Sequence, residues 1–394
     1  MNDTVDYVDE NYTLNKLFSF LVVYYWVLLY LGKPSYLMST LPIGLFLGYM
    51  LLIYIQNFSS SNRISFVLLF VFISAYLSLI RLDFTSLIAV SLFGLMIFFI
   101  RHFKLKITLK LLNSLFFISL FLSIPLYYSG YSYYGFLPGQ GGFSHDAFLS
   151  GRISMFPNVT VSIYFSFIIF FINYFFNKNR SQKIIIFIFS LYFIYFGISR
   201  TVMLGLVFIL FFSFLFKVYP LRKNFFYQFV LPFLLIGVPI ILVSFIEDII
   251  AFFISLDNDF ISQYFLRGYS SVDKVLDDIA RTNIWGEHIR LFKEYPWGLS
   301  TGEIEMYANK SLHLSDGGSE SFLTKILVRF GFSAFFFYLF ILSLLAEATK
   351  NHNQYMYIFS YIFIFIGVTY GSFFAAYNVL FLIFISSLNY THKP

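Results

Sequence analysis

The sequence predicts an all-α, polytopic integral membrane protein, and three observations carry that prediction. Of 394 residues, 59% are hydrophobic and only 12% charged, about half the charge of an ordinary globular domain. Apolar runs approaching the ~20 residues that span a bilayer recur along the whole chain. Basic residues gather in the short loops between alternate runs, as they do at the cytoplasmic ends of membrane helices.

The runs fall at Leu17–Leu31, Leu41–Ile55, Ile64–Ile80, Phe84–Ile100, Leu111–Tyr127, Thr160–Phe176, Ile184–Gly197, Val202–Phe216, Phe229–Ile246, Phe322–Leu345, Tyr355–Thr369 and Phe373–Ser387. They predict about twelve membrane helices, several of them short. The chain divides into a bundle over residues 1–246 with an outward loop at 128–158, a polar insert over 247–320, and three closing helices over 321–394. The insert has the composition of a soluble protein and holds most of the acidic residues and two of the three Trp.

Orientation follows from Arg101, Lys104, Lys106 and Lys110, from Lys178, Arg180 and Lys183, and from Lys217, Arg222 and Lys223. With alternating helices these three loops share one side, which is the cytoplasm. Both termini then lie inside and the insert lies outside, in a multi-pass protein of the cytoplasmic (inner) membrane. Lys33, Arg81 and Arg200 are the outward exceptions. The acidic start MNDTVDYVDENYTLNK lacks the basic region of a signal peptide, so the first apolar run is expected to stay as a membrane helix.

The absence of cysteine excludes disulfides, thiolate catalysis and cysteine metal sites. No metal-binding acidic or histidine pattern and no nucleotide-binding glycine pattern stands out. Neither a metal, a cofactor nor a nucleic-acid partner is expected, although the net charge is +6. Pro125, Pro232 and Pro239 lie inside predicted helices and should kink them. Within the insert, Val272, Leu276, Ile279, Ile284, Trp285, Ile289 and Phe292 recur at helical spacing, and Tyr295-Pro296-Trp297-Gly298 should end that amphipathic helix.

Four clusters could carry chemistry. Ser199-Arg200-Thr201 places an outward cation beside a helix N-terminus, whose own partial positive charge repels it unless an anion intervenes; the alternative is an arginine that snorkels to lipid headgroups. Arg152 precedes Phe156-Pro157-Asn158, where Pro and Asn suit a helix start. Arg281 and Arg290 share a predicted helix nine residues apart, about 180° from one another. Arg290 is also placed to pair with Glu287 or Glu294. Finally, His313 and Glu320 flank a Gly317-Gly318 turn leading into a helix with Lys325 and Arg329. Glu320 reads either as a base or as a carboxylate complementing a helix end.

Taken in order, Arg152 with Phe156-Pro157-Asn158, Ser199-Arg200-Thr201, Arg281 through Trp285, Pro296 to Gly298, and Gly318-Ser319-Glu320-Ser321 leading to Gly331 resemble the polysaccharide polymerase and ligase superfamily. This superfamily comprises the Wzy-type O-antigen or capsule polymerases and the O-antigen ligases. The resemblance implies a GT-C-like membrane glycosyltransferase that joins undecaprenyl-pyrophosphate-linked repeat units without metal or nucleotide sugar. It further implies donor and acceptor lipid-linked glycans, membrane lipid, and partners such as a chain-length regulator and a flippase. Arg200, Arg281, Arg152 and Arg290 would bind the pyrophosphate, with Glu320 as base and His313 as its rival. Ligases commonly carry a His-Asn pair where this chain has Glu320-Ser321, a departure that favours polymerase. The competing classes are a ligase, a lipid-linked oligosaccharide flippase and a binding module for assembly partners.

Overall fold

The computed structural model describes residues 3–31, 36–56, 65–128, 154–156, 159–196, 200–222, 224–234, 245–258, 261–262, 266, 271–273, 281–310 and 322–369. Among them the regular structure is entirely helical. In chain order the helices are α1 (Asp3–Leu28), α2 (Tyr36–Gln56), α3 (Phe66–Ile80), α4 (Phe84–His102), α5 (Leu109–Tyr128), α6 (Val159–Phe176), α7 (Arg180–Phe196) and α8 (Arg200–Val218). A π-helical turn at Phe226–Val230 follows, then α9 (Ile246–Ser255), α10 (Arg281–Glu294), α11 (Thr301–Lys310), α12 (Phe322–Phe330), a 3₁₀ turn at Gly331–Ser333, α13 (Ala334–Lys350) and α14 (Gln354–Thr369).

Short polar side chains set several helix starts. Thr108 Oγ1 accepts from Leu111 N–H at 3.3 Å, Asn179 Oδ1 from Gln182 N–H at 3.2 Å, and Asn353 Oδ1 from Met356 N–H at 3.0 Å, each an N-cap bond. Capping explains why α7 begins at Arg180, upstream of its apolar run. Pro125 lies inside α5 as expected, and Pro42 lies inside α2, where no kink was expected. Pro239 and the run Phe373–Ser387 lie outside the described residues.

Among the described residues, Phe84–His102 and the broken helix Phe322–Lys350 are long and apolar enough to cross a membrane. Large side chains on several helices face outward, with Phe72 64%, Phe121 73% and Phe214 70% exposed. Water tolerates such surfaces poorly and lipid does not oppose them, which marks the chain as membrane-associated.

The chain forms two compact units. In the first, comprising Met1–Val71, Ala89–Leu206 and Ala376–Pro394, α6 packs on α5 and α7, and α1 packs on α2 and α5. Buried Asn113 and Asn173 exchange amide hydrogen bonds of 3.0 and 2.8 Å between α5 and α6, so both polar side chains are paired inside the core. Phe156 is wholly buried, against Tyr30 at 5.0 Å and Phe165 at 5.4 Å.

In the second unit, Phe72–Ile88 with Val207–Ala375, α13 packs on α14, and α12 on α10 and α14. The sequence predicts one run over Phe322–Leu345; the structure breaks it at Gly331. In a continuous helix Phe332 N–H would bond the Val328 carbonyl. Instead Val328 O accepts from Leu299 N–H at 2.9 Å, and Phe332 N–H donates to Pro296 O at 2.9 Å. The turn that ends α10 thus takes up both groups. Gly298 and Gly331 have φ of +89° and +57°. A Cβ on Gly298 would lie 2.5 Å from Arg329 O, and one on Gly331 2.2 Å from Pro296 O. Side chains are excluded at both places by conformation and by space.

Replacing either glycine by Ala should therefore detach the turn from the helix break. The left-handed conformation alone costs about 1–2 kcal/mol, before the backbone clash. We expect Gly298→Ala and Gly331→Ala each to lower the detergent melting temperature by several degrees. Gly302→Ala, which meets nothing within 4 Å, should leave it unchanged. Equal melting of all three variants would contradict this account.

Candidate functional site

The insert returns to the apolar helices through α10, the Tyr295–Leu299 turn and α11. Leu291, Leu299 and Val328 form a buried cluster with Ile304 and Tyr307 against it. Phe332 stacks edge-on against Trp297 at 5.8 Å and Phe292 at 5.3 Å. Farther back, Ile250 and Leu266 pack with Phe253, Ile254 and Val272, which gives the insert an apolar cluster of its own.

A polar knot lies beside this packing. Asp83, 7% exposed, caps α4 through Ser86 N–H at 3.1 Å and accepts the Ser86 hydroxyl at 2.6 Å. The same carboxylate accepts from Thr301 N–H at 2.9 Å and from the Thr301 hydroxyl at 3.1 Å, at the start of α11. Arg329 on α12 donates from Nε to Ser86 Oγ at 2.7 Å and from its guanidinium to Thr301 Oγ1 at 2.8 Å. Each hydroxyl therefore accepts from the arginine and donates to the aspartate. Arg81 donates to Arg329 O at 3.1 Å and to Leu77 O at 3.1 Å. Ser300 and Glu303 add a capping box, with Ser300 N–H and Oγ both 2.7 Å from Glu303 Oε2.

Burial works to raise the Asp83 pKa, but the hydrogen bonds from Ser86 and Thr301 and the Arg329 charge outweigh it and hold the carboxyl below its usual range. Arg81 is lowered, chiefly by burial, with Arg329 acting in the same direction against Asp83 and Glu303.

His288, on α10, is fully buried at the seam with α12. Its Nδ1 lies 2.7 Å from Thr324 Oγ1, while Nε2 is enclosed without a hydrogen-bond partner. An enclosed polar group left unpaired costs about 1–3 kcal/mol. Burial, with Lys325 adding to it, lowers the imidazole pKa to about 4, so the ring is neutral at ordinary pH.

The residues singled out from sequence divide into three groups. Arg200 and Arg281 are each the first residue of a helix, α8 and α10. Arg290 is exposed and ion-paired, 2.7 Å from Glu287 and 3.6 Å from Glu294. Arg152, His313 and Glu320 lie outside the described residues. The sequence reading missed Asp83, Ser86, Thr301 and His288 as site residues. The capping box was visible as Ser300-x-x-Glu303, but nothing local announces that Arg329 meets Ser86, 243 residues away.

Residues 185–339 match the family model described as O-antigen ligase, a span from α7 through the helix break at Gly331 into α13. No curated protein and no solved structure matches the chain. The match supports the O-antigen ligase and polymerase superfamily over those residues and does not separate ligase from polymerase. Arg81, Asp83 and Ser86 stand outside the matched span.

Two outcomes follow for this region, and the cysteine-free sequence makes an engineered thiol an unambiguous probe. Leu299, 1% exposed, is the reporter as Leu299→Cys. Asp83→Ala removes two helix caps, about 2 kcal/mol in all, and should raise maleimide labelling at that cysteine roughly 30-fold. Labelling equal to the parent would show that the knot does not hold the turn.

Acid should act on the same contact through His288. Its pKa is depressed in the packed state, so its contribution is complete above 6.5 and is lost as pH falls from 6.5 toward about 4. The full loss is about 3 kcal/mol. Asp83, lowered from 3.8, holds its contribution until more acid conditions. Measured relative to a fully exposed cysteine, which corrects for the falling thiolate fraction in acid, labelling should accordingly rise across the upper window, and His288→Asn should flatten that rise.

Proposed function

We propose that this chain is an integral membrane glycosyltransferase that joins polyprenyl-pyrophosphate-linked oligosaccharide repeat units at the outer face of the cytoplasmic membrane. The observation that carries the reading is the match over residues 185–339, because it covers the insert, the helices that hold it and the arginines at two helix starts. The multi-pass topology belongs to this proposal: apolar helices alternate across the membrane with both termini inside. Contacts that fit the alternation include Lys106 N–H to Asn15 Oδ1 at 2.9 Å between inner segments, and the Asp83–Thr301 bond between outer ones.

In the reaction the acceptor hydroxyl oxygen attacks the anomeric carbon of the donor. The bond from that carbon to the phosphate oxygen breaks, and polyprenyl pyrophosphate leaves with the bonding pair. Glu320 takes the hydroxyl proton, with His313 as the rival base. Arg200 and Arg281 hold the leaving group, since guanidinium makes paired phosphate contacts that ammonium does not reproduce. A helix start adds N–H donors of the same sign to each arginine. Arg152 is assigned a supporting contact, and Arg290 the outermost one, in exchange with Glu287 and Glu294. The Glu320-Ser321 pair favours polymerase. The ligase alternative rests on the description of the matched family.

The two reactions leave different products in a producing strain. Arg200→Ala should abolish or strongly reduce polymer at near-normal protein abundance. Glu320→Gln should accumulate single lipid-linked repeat units, since base catalysis supplies about 10²–10⁴-fold in rate. A ligase defect would instead leave full-length lipid-linked chains that never reach the final acceptor. Normal polymer in both variants, or a cytoplasmic reading from a reporter fused at Ser300, would falsify the proposal.

A further inference from the structure

Trp297 belongs by sequence to the polar insert, yet its ring is 62% exposed and lies edge-on to Phe332 at 5.8 Å. Phe332 in turn stacks on Phe335 at 6.2 Å, and Phe292 meets both of those rings, at 5.3 and 6.1 Å. The four rings form one aromatic patch shared by α10, the turn that ends it and the start of α13. Phe332 and Phe335 are themselves exposed, and Leu339 and Leu342 continue their outward face along α13 at helical spacing. This stripe belongs to the broken helix Phe322–Lys350, which is long and apolar enough to cross a membrane. From Phe332 to Lys350 in the last turn the axis runs about 27 Å at ~1.5 Å per residue, close to the ~30 Å hydrocarbon core of a bilayer. One end of the stripe thus carries a basic residue, as cytoplasmic helix ends do, and the other end carries an indole.

We propose that Trp297 is a membrane anchor that seats the Tyr295–Leu299 turn in the headgroup–acyl boundary of the bilayer, at the end of α13 opposite Lys350. The inference rests on the membrane-crossing course of α13 in the proposed function. Indole suits that boundary because a broad apolar ring carries one polar N–H, so neither water nor the acyl core satisfies the whole group. Lipid is the occupant that fits the patch, since the patch is continuous with a stripe that needs an apolar cover along the helix. A sugar ring on Trp297 would leave Phe335, Leu339 and Leu342 against water. The turn that supplies partners to Val328 and Phe332 then sits at the level of the lipid headgroups, and the insert is held at the height where a lipid-linked phosphate emerges.

The experiment uses the full chain in phosphatidylcholine vesicles whose acyl chains carry bromine either near the headgroup or near the chain end. Trp297 emission is taken as the difference between wild type and Trp297→Phe. Bromine near the headgroup should quench the larger part of that emission and bromine near the chain end much less, while acrylamide in the water quenches it several-fold less than in the unfolded chain. Quenching by acrylamide as in the unfolded chain, with neither bromine effective, puts Trp297 in water; stronger quenching from the chain end puts it in the acyl core. Either result overturns the assignment. Nitroxide labels at Phe335→Cys, Leu339→Cys and Leu342→Cys, one at a time in a chain without cysteine, should show oxygen accessibility rising from 335 to 342. Where that gradient holds and Trp297 stands in water, the inference falls alone; where the gradient is absent, the membrane-crossing course of α13 falls with it. Should Trp297→Phe fail to fold, the chain carrying Trp26→Phe and Trp285→Phe keeps Trp297 as its one indole and gives the same readout directly.

Discussion

The second unit is organised around an exchanged pair of backbone hydrogen bonds. A helix crossing a lipid environment must satisfy its own carbonyls and amides, because nothing around it will. At Val328 and Phe332 the chain gives up that internal bond, and the turn at Pro296–Leu299 supplies a partner to each freed group. The break is therefore tolerable only while the insert is seated, and the insert is seated only at the break. Two left-handed glycines make the approach close enough for backbone to meet backbone. In a chain without cysteine, this arrangement does the work a disulfide would do in many exported domains.

Asp83 extends the same logic with side chains. One carboxylate caps a helix of the apolar bundle and contacts the first residue of an insert helix, while Arg329 on a third helix reaches it through two shared hydroxyls. A buried ion pair in direct contact would carry a heavy desolvation penalty for uncertain gain. Interposed hydroxyls give the Asp83 carboxylate and the Arg329 guanidinium hydrogen-bond partners and still keep the two charges near each other. The result is a directional junction, specified by many hydrogen bonds, where apolar packing alone would allow the helices to slide.

How much of this was legible depends on range. Apolar runs, the end of α10 at Tyr295-Pro296-Trp297-Gly298 and the Arg290 pairing alternative are local, and residues within a few positions determine them. The break at Gly331 was hidden because the flanking residues are uniformly apolar; its cause sits more than thirty residues upstream, at Pro296. The Asp83 knot was hidden for the same reason at greater distance. His288 was visible only as a lone histidine on a helix, and nothing in its neighbours says that one nitrogen is enclosed without a partner. For the site, order of motifs along the chain carried the family resemblance, while its geometry depended on which turn meets which helix. Glu320, His313 and Arg152 remain assigned on that resemblance.

Several choices in the second half of the chain are locally unfavourable. Arg200 and Arg281 each place a cation at the positive end of a helix, a mismatch of about 0.3–1 kcal/mol apiece. His288 withholds one hydrogen bond in a sealed seam, and Gly298 and Gly331 hold the chain in conformations closed to other residues. A sequence selected for stability alone would replace the arginines with acidic residues and His288 with Leu. All five positions lie within residues 185–339, and departures from local consistency of this kind accumulate where a chain is shaped for a ligand. The glycines contribute by letting the turn that ends α10 meet the break after α12 backbone to backbone.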